Sequence, residues 1–385
     1  MSRTRTIAIQ ALNTILTEGR TVDEVMPQHV DLSEEDQKFV NALLMATLRH
    51  IGQLDAMIAP HLETPLDKKL HAVQCALRIG AAQIVVMQIP PHAAVGETVQ
   101  AMKSGKYKPY AKLVNAILRK IEPAALPPST YNLPAWYKPR WKAMYDVPKI
   151  CDIVLEQTPL DIMRRDGTSQ RFQAPYPNIE TIEGFDTGGF WVQDRAASKP
   201  VQMLGDIQGK SVLEIGAAPG GKTAQLVAAG ANVTALDRSD NRMRTLQKNM
   251  QRLQMEVTPV IADVMTWEPG AQYDIIVLDA PCSATGTWRR HPEVVHITTL
   301  DDIKELAKLQ AEMLARIWPW VKPNGRLLYI VCSLEREEGE DQIAAFLGAH
   351  KNASPQGTAL RTNPAMEAET GGMDGFYAVI LQKAA

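Results

Sequence analysis

Two cysteines stand where chemistry is expected. Cys282 lies in DAPCSATG and Cys332 in YIVCSLE, and each follows an apolar run that reads as a strand. Asp279 opens the first of these motifs, and Lys222 lies in a glycine-rich loop, AAPGGKT. Two thiols beside an acid suit carbon alkylation of a pyrimidine. Carbon 5 of cytosine is a weak nucleophile until a thiolate adds to carbon 6 and makes the ring enamine-like. A hydrogen bond or proton at ring N3 assists, and Asp279 is placed for that. A second thiol can then take the carbon 5 proton as a base while the first is expelled. The nucleophilic thiol must ionise near neutral pH, which needs positive charge nearby. Lys222, Arg289 and Arg290 are the candidates. A base paired in a helix would first have to be opened out of it.

The glycine loop has two readings. Gly216 to Thr223 fits G-x-x-x-x-G-K-[ST], the phosphate-binding P-loop, and Asp279 at a strand end resembles a magnesium-binding acid. An ATPase with an RNA-binding helical domain is the resulting alternative. Three features favour a different adenosine ligand. Asp237 ends the next strand 21 residues after Gly216, where a doubly wound domain contacts ribose hydroxyls. Asp263 ends the following strand in VIADV and can accept from an adenine amino group. Pro281-Cys282 follows Asp279 almost at once. Strand, glycine loop, acid and second acid form the layout of an S-adenosylmethionine site. Its glycines let backbone approach the methionine part.

These residues need a scaffold. From about 190 onward, SVLEIGA, NVTALD, EVTPVIAD, YDIIVLDAP and RLLYIVCSL alternate with helical segments near TAQLVAAG, NRMRTLQKNMQRL and LDDIKELAKLQAEMLARIWPWV. That alternation predicts an α/β, Rossmann-like doubly wound parallel sheet, with the ligand crevice at the carboxyl ends of the strands. Residues 1–125 read as all helix, and apolar residues recur every three or four positions. PAALPPSTYNLPAW is a linker signal. The expected organisation is a helical domain over 1–125, a linker and small connecting subdomain over 126–190, and a catalytic domain over 191–385.

Composition sets the remaining bounds. A net charge of −2 over 385 residues gives no global attraction to nucleic acid, so binding must come from local patches. The four cysteines form no C-x-x-C pair, which argues against zinc and against a secreted disulfide framework and suits the cytoplasm. Cys75 and Cys151 read as small buried hydrophobes. No apolar run reaches membrane-spanning length. No metal and no membrane partner are expected, and a monomer is the working expectation. The start of the chain has basic residues and no acid before Glu18, as a transit peptide would. Ile7, Leu12, Ile15 and Leu16 at helical spacing instead predict a first amphipathic helix.

At AAPGGKT, DAPCSATG with RRHPE after it, the CS pair at Cys332-Ser333, and DGF at Asp374 to Phe376, the chain resembles the RNA 5-methylcytosine methyltransferases. VQDRAAS (192–198) resembles that family's entry into the catalytic domain. TLRH, LRIGAAQI, IPPHAAVGETV and LVNAILRKI resemble the NusB-like helical domain of the RsmB (Fmu/Sun) branch. The resemblance spans nearly the whole chain and is weakest over about 125–185. It implies methylation of small-subunit ribosomal RNA, with Cys332 as nucleophile and Cys282 assisting release. It also implies cofactor contacts from Ala217, Ala218, Pro219, Gly220, Gly221 and Lys222, and from Asp237, Asp263 and Asp279, with Arg242 helping. The chain departs from the family pattern in four places. Glu214-Ile215-Gly216 stands for Asp-x-Cys, Val331 precedes the CS pair, EREEGEDQ replaces an acidic-Asn run, and VVHITTL lacks an aromatic residue.

The stretch 101–120 carries Lys103, Lys106, Lys108, Lys112, Arg119 and Lys120 and no acid, with Tyr107 and Tyr110 interleaved. Such a mixture suits phosphate contact plus base stacking. YKPRWK (137–142) is a second basic patch. Arg289, Arg290 and His291 are candidates to grip phosphate beside the target base, although a lone histidine such as His291 is more often a packing or hydrogen-bonding residue. An RNA-binding protein that keeps the fold without activity is the third reading, and the intact cysteine pair argues against it.

Overall fold

The computed structural model describes residues 2–26, 32–103, 105–123 and 125–385. The chain forms two compact units. One comprises residues 1–156 and 288–298, and the other 157–287 and 299–385.

The first unit is helical. It contains α1 (Ser2–Glu18), α2 (Val22–Val25), α3 (Glu34–Arg49), α4 (Ile51–Ile58), α5 (His71–Val85), α6 (Pro91–Met102), α7 (Ala111–Leu118), α8 (Tyr137–Lys142) and α9 (Val147–Leu155). The opening segment is the amphipathic helix that its periodicity predicts. Ile7, Leu12 and Ile15 are buried in one core with Leu43, Leu44, Leu48, Leu77 and Leu118. Cys75 belongs to the same core, and burial pushes its thiol up to about 12. Cys151 is likewise buried and pushed up to about 12. Neither supplies a thiolate near neutral pH.

The division differs from the composition-based boundaries in two ways. The proline-rich stretch near 126–134 does not end the helical unit, which continues through α8 and α9. Residues 288–298, from the sequence just after the Pro-Cys motif, also belong to it and include the short helix α13 (Val294–Ile297). Trp288 is fully buried there, edge-on to Trp141 at 6.1 Å. Arg289 is 1% exposed, which removes it from phosphate contact and corrects that expectation. Glu293 is fully buried and accepts from the Val22 backbone amide at 3.2 Å.

The second unit starts with a three-stranded antiparallel sheet of β1 (Leu160–Arg164), β2 (Ser169–Phe172) and β3 (Phe190–Val192), in the order β2-β1-β3. The helix α10 (Arg195–Gln202) leads into the main sheet. Its strands are β4 (Ser211–Ile215), β5 (Asn232–Asp237), β6 (Thr258–Ile261), β7 (Tyr273–Asp279), β8 (Val321–Val331), β9 (Ala353–Arg361) and β10 (Tyr377–Lys383). The order is β6-β5-β4-β7-β8-β10-β9. The five strands from β6 to β8 are parallel, and β10 runs antiparallel to β8. The expected parallel sheet is therefore completed by an antiparallel strand. The helices α11 (Gly221–Ala228), α12 (Asp240–Leu253), α14 (Leu300–Ile317) and α15 (Glu340–Ala349) provide the crossovers. The central strands β4 and β7 read VLEI and IIVL because both their faces are covered. The strand order reverses at β4 and β7, and their carboxyl ends open the crevice.

Candidate active site

Each acid predicted at a strand end is found at or just beyond one. Asp237 ends β5, Asp279 ends β7, and Asp263 lies two residues past β6. A crevice of about 330 Å³ at this edge is lined by Gly216, Asp237, Arg242, Asp263, Asp279, Cys282 and Cys332, with Val264, Met265, Leu309 and Met313 as apolar walls. It is polar on the acid side and apolar between, as an adenosine with an aliphatic arm requires.

Gly216 must be glycine. Its φ is +79°, and a Cβ there would lie 2.4 Å from the Asp279 carbonyl oxygen. This lets β4 and β7 close around the crevice. Ala217 to Gly221 do not themselves line it. They turn the chain from β4 into α11, and α12 fixes them. Arg242 donates to the Ala218 carbonyl, and Asn249 donates to that of Pro219 at 2.9 Å. Asp237 is 3% exposed and accepts from the amides of Ala218 (3.2 Å) and Ser239 (2.9 Å). Asp263 accepts from the Met265 amide at 2.8 Å.

Lys222 and Asp279, 57 positions apart, meet at 2.8 Å. Burial works against the Lys222 ammonium, but Asp279, Cys332 and Glu214 outweigh it and hold its pKa above the usual value. Lys222 also lies 5.4 Å from the centre of the Phe376 ring, which gives the DGF motif a place at the site. The two cysteine sulfurs are 3.4 Å apart. The Cys282 thiol is raised well above its usual value, first by its hydrogen bond with Cys332 and then by burial.

Glu214 is fully enclosed at the end of β4 and shares a 2.6 Å hydrogen bond with the Thr223 hydroxyl. Burial pushes its pKa from 4.5 to about 8. The folded-state value is raised, so the associated stability is complete below pH 4.5 and is lost as pH rises through 8. Glu214→Gln should therefore match the parent at pH 4 and melt about 5 °C higher at pH 9, as read by a thermal melt at each pH.

This geometry bears on the P-loop alternative. The Thr223 hydroxyl is committed to Glu214 and the Lys222 ammonium to Asp279. A nucleotide phosphate with magnesium would need both free.

Some important contacts had no local signal. Glu338 lies in EREEGEDQ and is fully buried, with Ser283, Ser333 and Gln310 around its carboxylate. Leu309 and Met313 of α14 wall the crevice. Their periodicity marks a buried helix face but not what that face covers.

A doubly wound sheet with an antiparallel closing strand and this crevice defines a methyltransferase fold. The comparisons agree. The model for 16S rRNA methyltransferase RsmB/F matches residues 201–381, and the NusB family model matches 2–123. Ribosomal RNA small subunit methyltransferase B of Cronobacter sakazakii (strain ATCC BAA-894) is 31% identical, and that of Yersinia pestis bv. Antiqua (strain Angola) is 32% identical. Each alignment covers 98% of both chains. The solved structure of PH0851 shares the fold, with a TM-score of 0.78 at 22% identity over 100% of this chain and 99% of that one. A methyltransferase homolog protein from Pyrococcus horikoshii shares it over 64% of this chain and 94% of its own, with a TM-score of 0.54 at 23% identity. The chain belongs to the ribosomal RNA small subunit methyltransferase B family. It methylates ribosomal RNA, and its cofactor is S-adenosylmethionine.

Proposed function

We propose that the methyl group is transferred to carbon 5 of a cytosine through a covalent cysteine intermediate. The observation that carries this reading is the 3.4 Å approach of two thiols at one edge of the cofactor crevice. Cys332 ends the run from β8 and Cys282 the run from β7, so neighbouring strands aim both at one base.

Asp237 would hold the ribose hydroxyls and Asp263 the adenine amino group, with Gly216 beside the methionine part and the turn through Gly221 keeping that wall in place. Arg242 steadies that turn and Asp237, which lies 3.6 Å from its guanidinium. The bound cofactor supplies an electrophilic methyl on sulfur. Cys332 adds to carbon 6, and carbon 5 takes the methyl. With Cys332 bound to carbon 6, its hydrogen bond no longer raises the Cys282 thiol; Cys282 gives its proton to solvent and removes the carbon 5 proton, and expulsion of Cys332 restores the ring. Lys222 stabilises negative charge on Cys332 before addition. The Lys222 ammonium, which donates to Asp279 at 2.8 Å, passes a proton through that carboxyl to ring N3 as Cys332 adds and takes it back as the ring is restored.

The helical unit would hold the RNA. Lys103, Lys108, Lys112, Arg119, Lys120 and Lys142 are exposed. The Lys106 side chain lies outside the described residues. Tyr107 and Tyr110 pack half-buried against the helical core, so charge rather than stacking is what this patch presents. His291 lies 3.8 Å from Glu293, as a packing histidine would.

The test is transfer of labelled methyl to unmodified small-subunit ribosomal RNA, followed by digestion to nucleosides. Label in 5-methylcytosine supports the reading. Label in any other nucleoside overturns it.

A further inference from the structure

Both cysteines are followed by serine, and both serines reach the same carboxylate. Ser283 and Ser333 each donate a hydroxyl to Glu338 Oε2 at 2.5 Å. The Ser283 amide donates to Oε1 at 2.9 Å, and Gln310 Nε2 to the same oxygen at 3.0 Å. Gln310 also donates to the Pro281 carbonyl at 2.9 Å. The Tyr329 hydroxyl donates to the backbone carbonyl of Glu338 at 2.7 Å, which anchors this residue to β8. Four donors thus converge on one fully buried side chain. Three of those donors belong to the two serines that follow the thiols.

We propose that Glu338 is a positioning residue that ties the Pro-Cys loop to the Cys-Ser loop and so sets the separation of the Cys282 and Cys332 sulfurs. This rests on the two-thiol reading above. Nucleophile and base must reach adjacent carbons of one ring, so their spacing is a catalytic quantity. Burial raises the Glu338 pKa, and the donors from Ser283, Ser333 and Gln310 oppose that rise. Removing the carboxylate would leave those donors without an acceptor in a dry site, and the loops would separate to find others. The loops also touch directly, since the Gly286 amide donates to the Cys332 carbonyl at 3.0 Å. The Ser283 and Ser333 hydroxyls are 3.1 Å apart, and the Thr285 hydroxyl lies 3.4 and 3.5 Å from them, but Glu338 is the carboxylate acceptor that both serines share at the shorter 2.5 Å.

The test measures two rates on the full-length protein. One is single-turnover methyl transfer to ribosomal RNA. The other is closure of the Cys282–Cys332 disulfide by diamide, which oxidises the two thiols and is itself reduced to the hydrazine. S-adenosylhomocysteine affinity serves as the control for an intact crevice. Glu338→Ala should slow methyl transfer by about 100-fold and slow disulfide closure at least about tenfold, with S-adenosylhomocysteine affinity within about twofold of the parent. Glu338→Gln keeps an acceptor for the Ser283 amide and an amide to donate to the hydroxyls, so it should restore both rates to within about threefold. If Glu338→Ala does not fold, Ser283→Ala removes one tether and should show the same pattern at about tenfold. Parental disulfide closure in Glu338→Ala, or in Ser283→Ala where that replaces it, overturns the proposal. So does a Glu338→Gln variant as impaired as Glu338→Ala. Full methyl transfer by Cys332→Ala would instead overturn the two-thiol reading, and the disulfide rates would still report on the tether.

Discussion

Cys332→Ala should lower methyl transfer to below about one part in ten thousand of the parental rate, while S-adenosylhomocysteine affinity stays within a few fold. The reason is chemical. Without addition at carbon 6, carbon 5 of cytosine has no enamine character, and nothing else at the crevice edge raises its nucleophilicity. Cys282 does not substitute. Burial still raises its thiol once Cys332 is gone, and it follows β7 rather than β8. Alanine in place of a half-buried cysteine changes little volume, so the cofactor crevice persists. Single-turnover transfer with isothermal titration of S-adenosylhomocysteine separates the two effects. Transfer retained at parental rate would mean that the thiol at 332 is a bystander.

The second large effect is expected at Lys222. Lys222→Met should slow transfer about 100-fold at pH 7. In the parent the ammonium is 2.8 Å from Asp279 and within electrostatic reach of Cys332. Removing the cation takes away the positive charge that favours attack by the Cys332 sulfur and leaves the Asp279 carboxylate without its partner. Cofactor affinity should hold, because Lys222 is not among the side chains that line the crevice. Single-turnover transfer with titration of S-adenosylhomocysteine on both proteins checks this. A parental rate would assign Lys222 to packing against Phe376 rather than to the reacting sulfur.

Much of this site is written locally in the chain. Asp237 and Asp279 end apolar runs whose strand character is unmistakable, and Asp263 comes soon after another. The Pro-Cys and Cys-Ser pairs follow two such runs, and those runs pair in the sheet. The edge strands were harder. β6 is mostly solvent-facing, with Ile261 half exposed, and β9 is exposed along most of its length, so neither shows the continuous apolar signal of β4 or β7.

What the sequence hides is convergence. Nothing near Lys222 announces Asp279, and nothing in EREEGEDQ announces that Glu338 meets residues 283, 310 and 333. Charge runs of that kind ordinarily face solvent. The segment 288–298 is hidden in the same way. RRHPEVVHI reads as a basic loop, yet Trp288, Arg289 and Glu293 are buried in the helical unit. Periodicity reports which face of an element is buried and not which distant residue buries it.

The central claim is the covalent route, and one variant exposes it most directly. Cys282→Ala removes the base that takes the carbon 5 proton but leaves the nucleophile. Incubated with S-adenosylmethionine and unmodified small-subunit ribosomal RNA, it should accumulate an RNA–protein adduct that survives denaturing electrophoresis, and the Cys282→Ala/Cys332→Ala double variant should show none. No adduct with the single variant, or an adduct that persists in the double variant, would contradict the account.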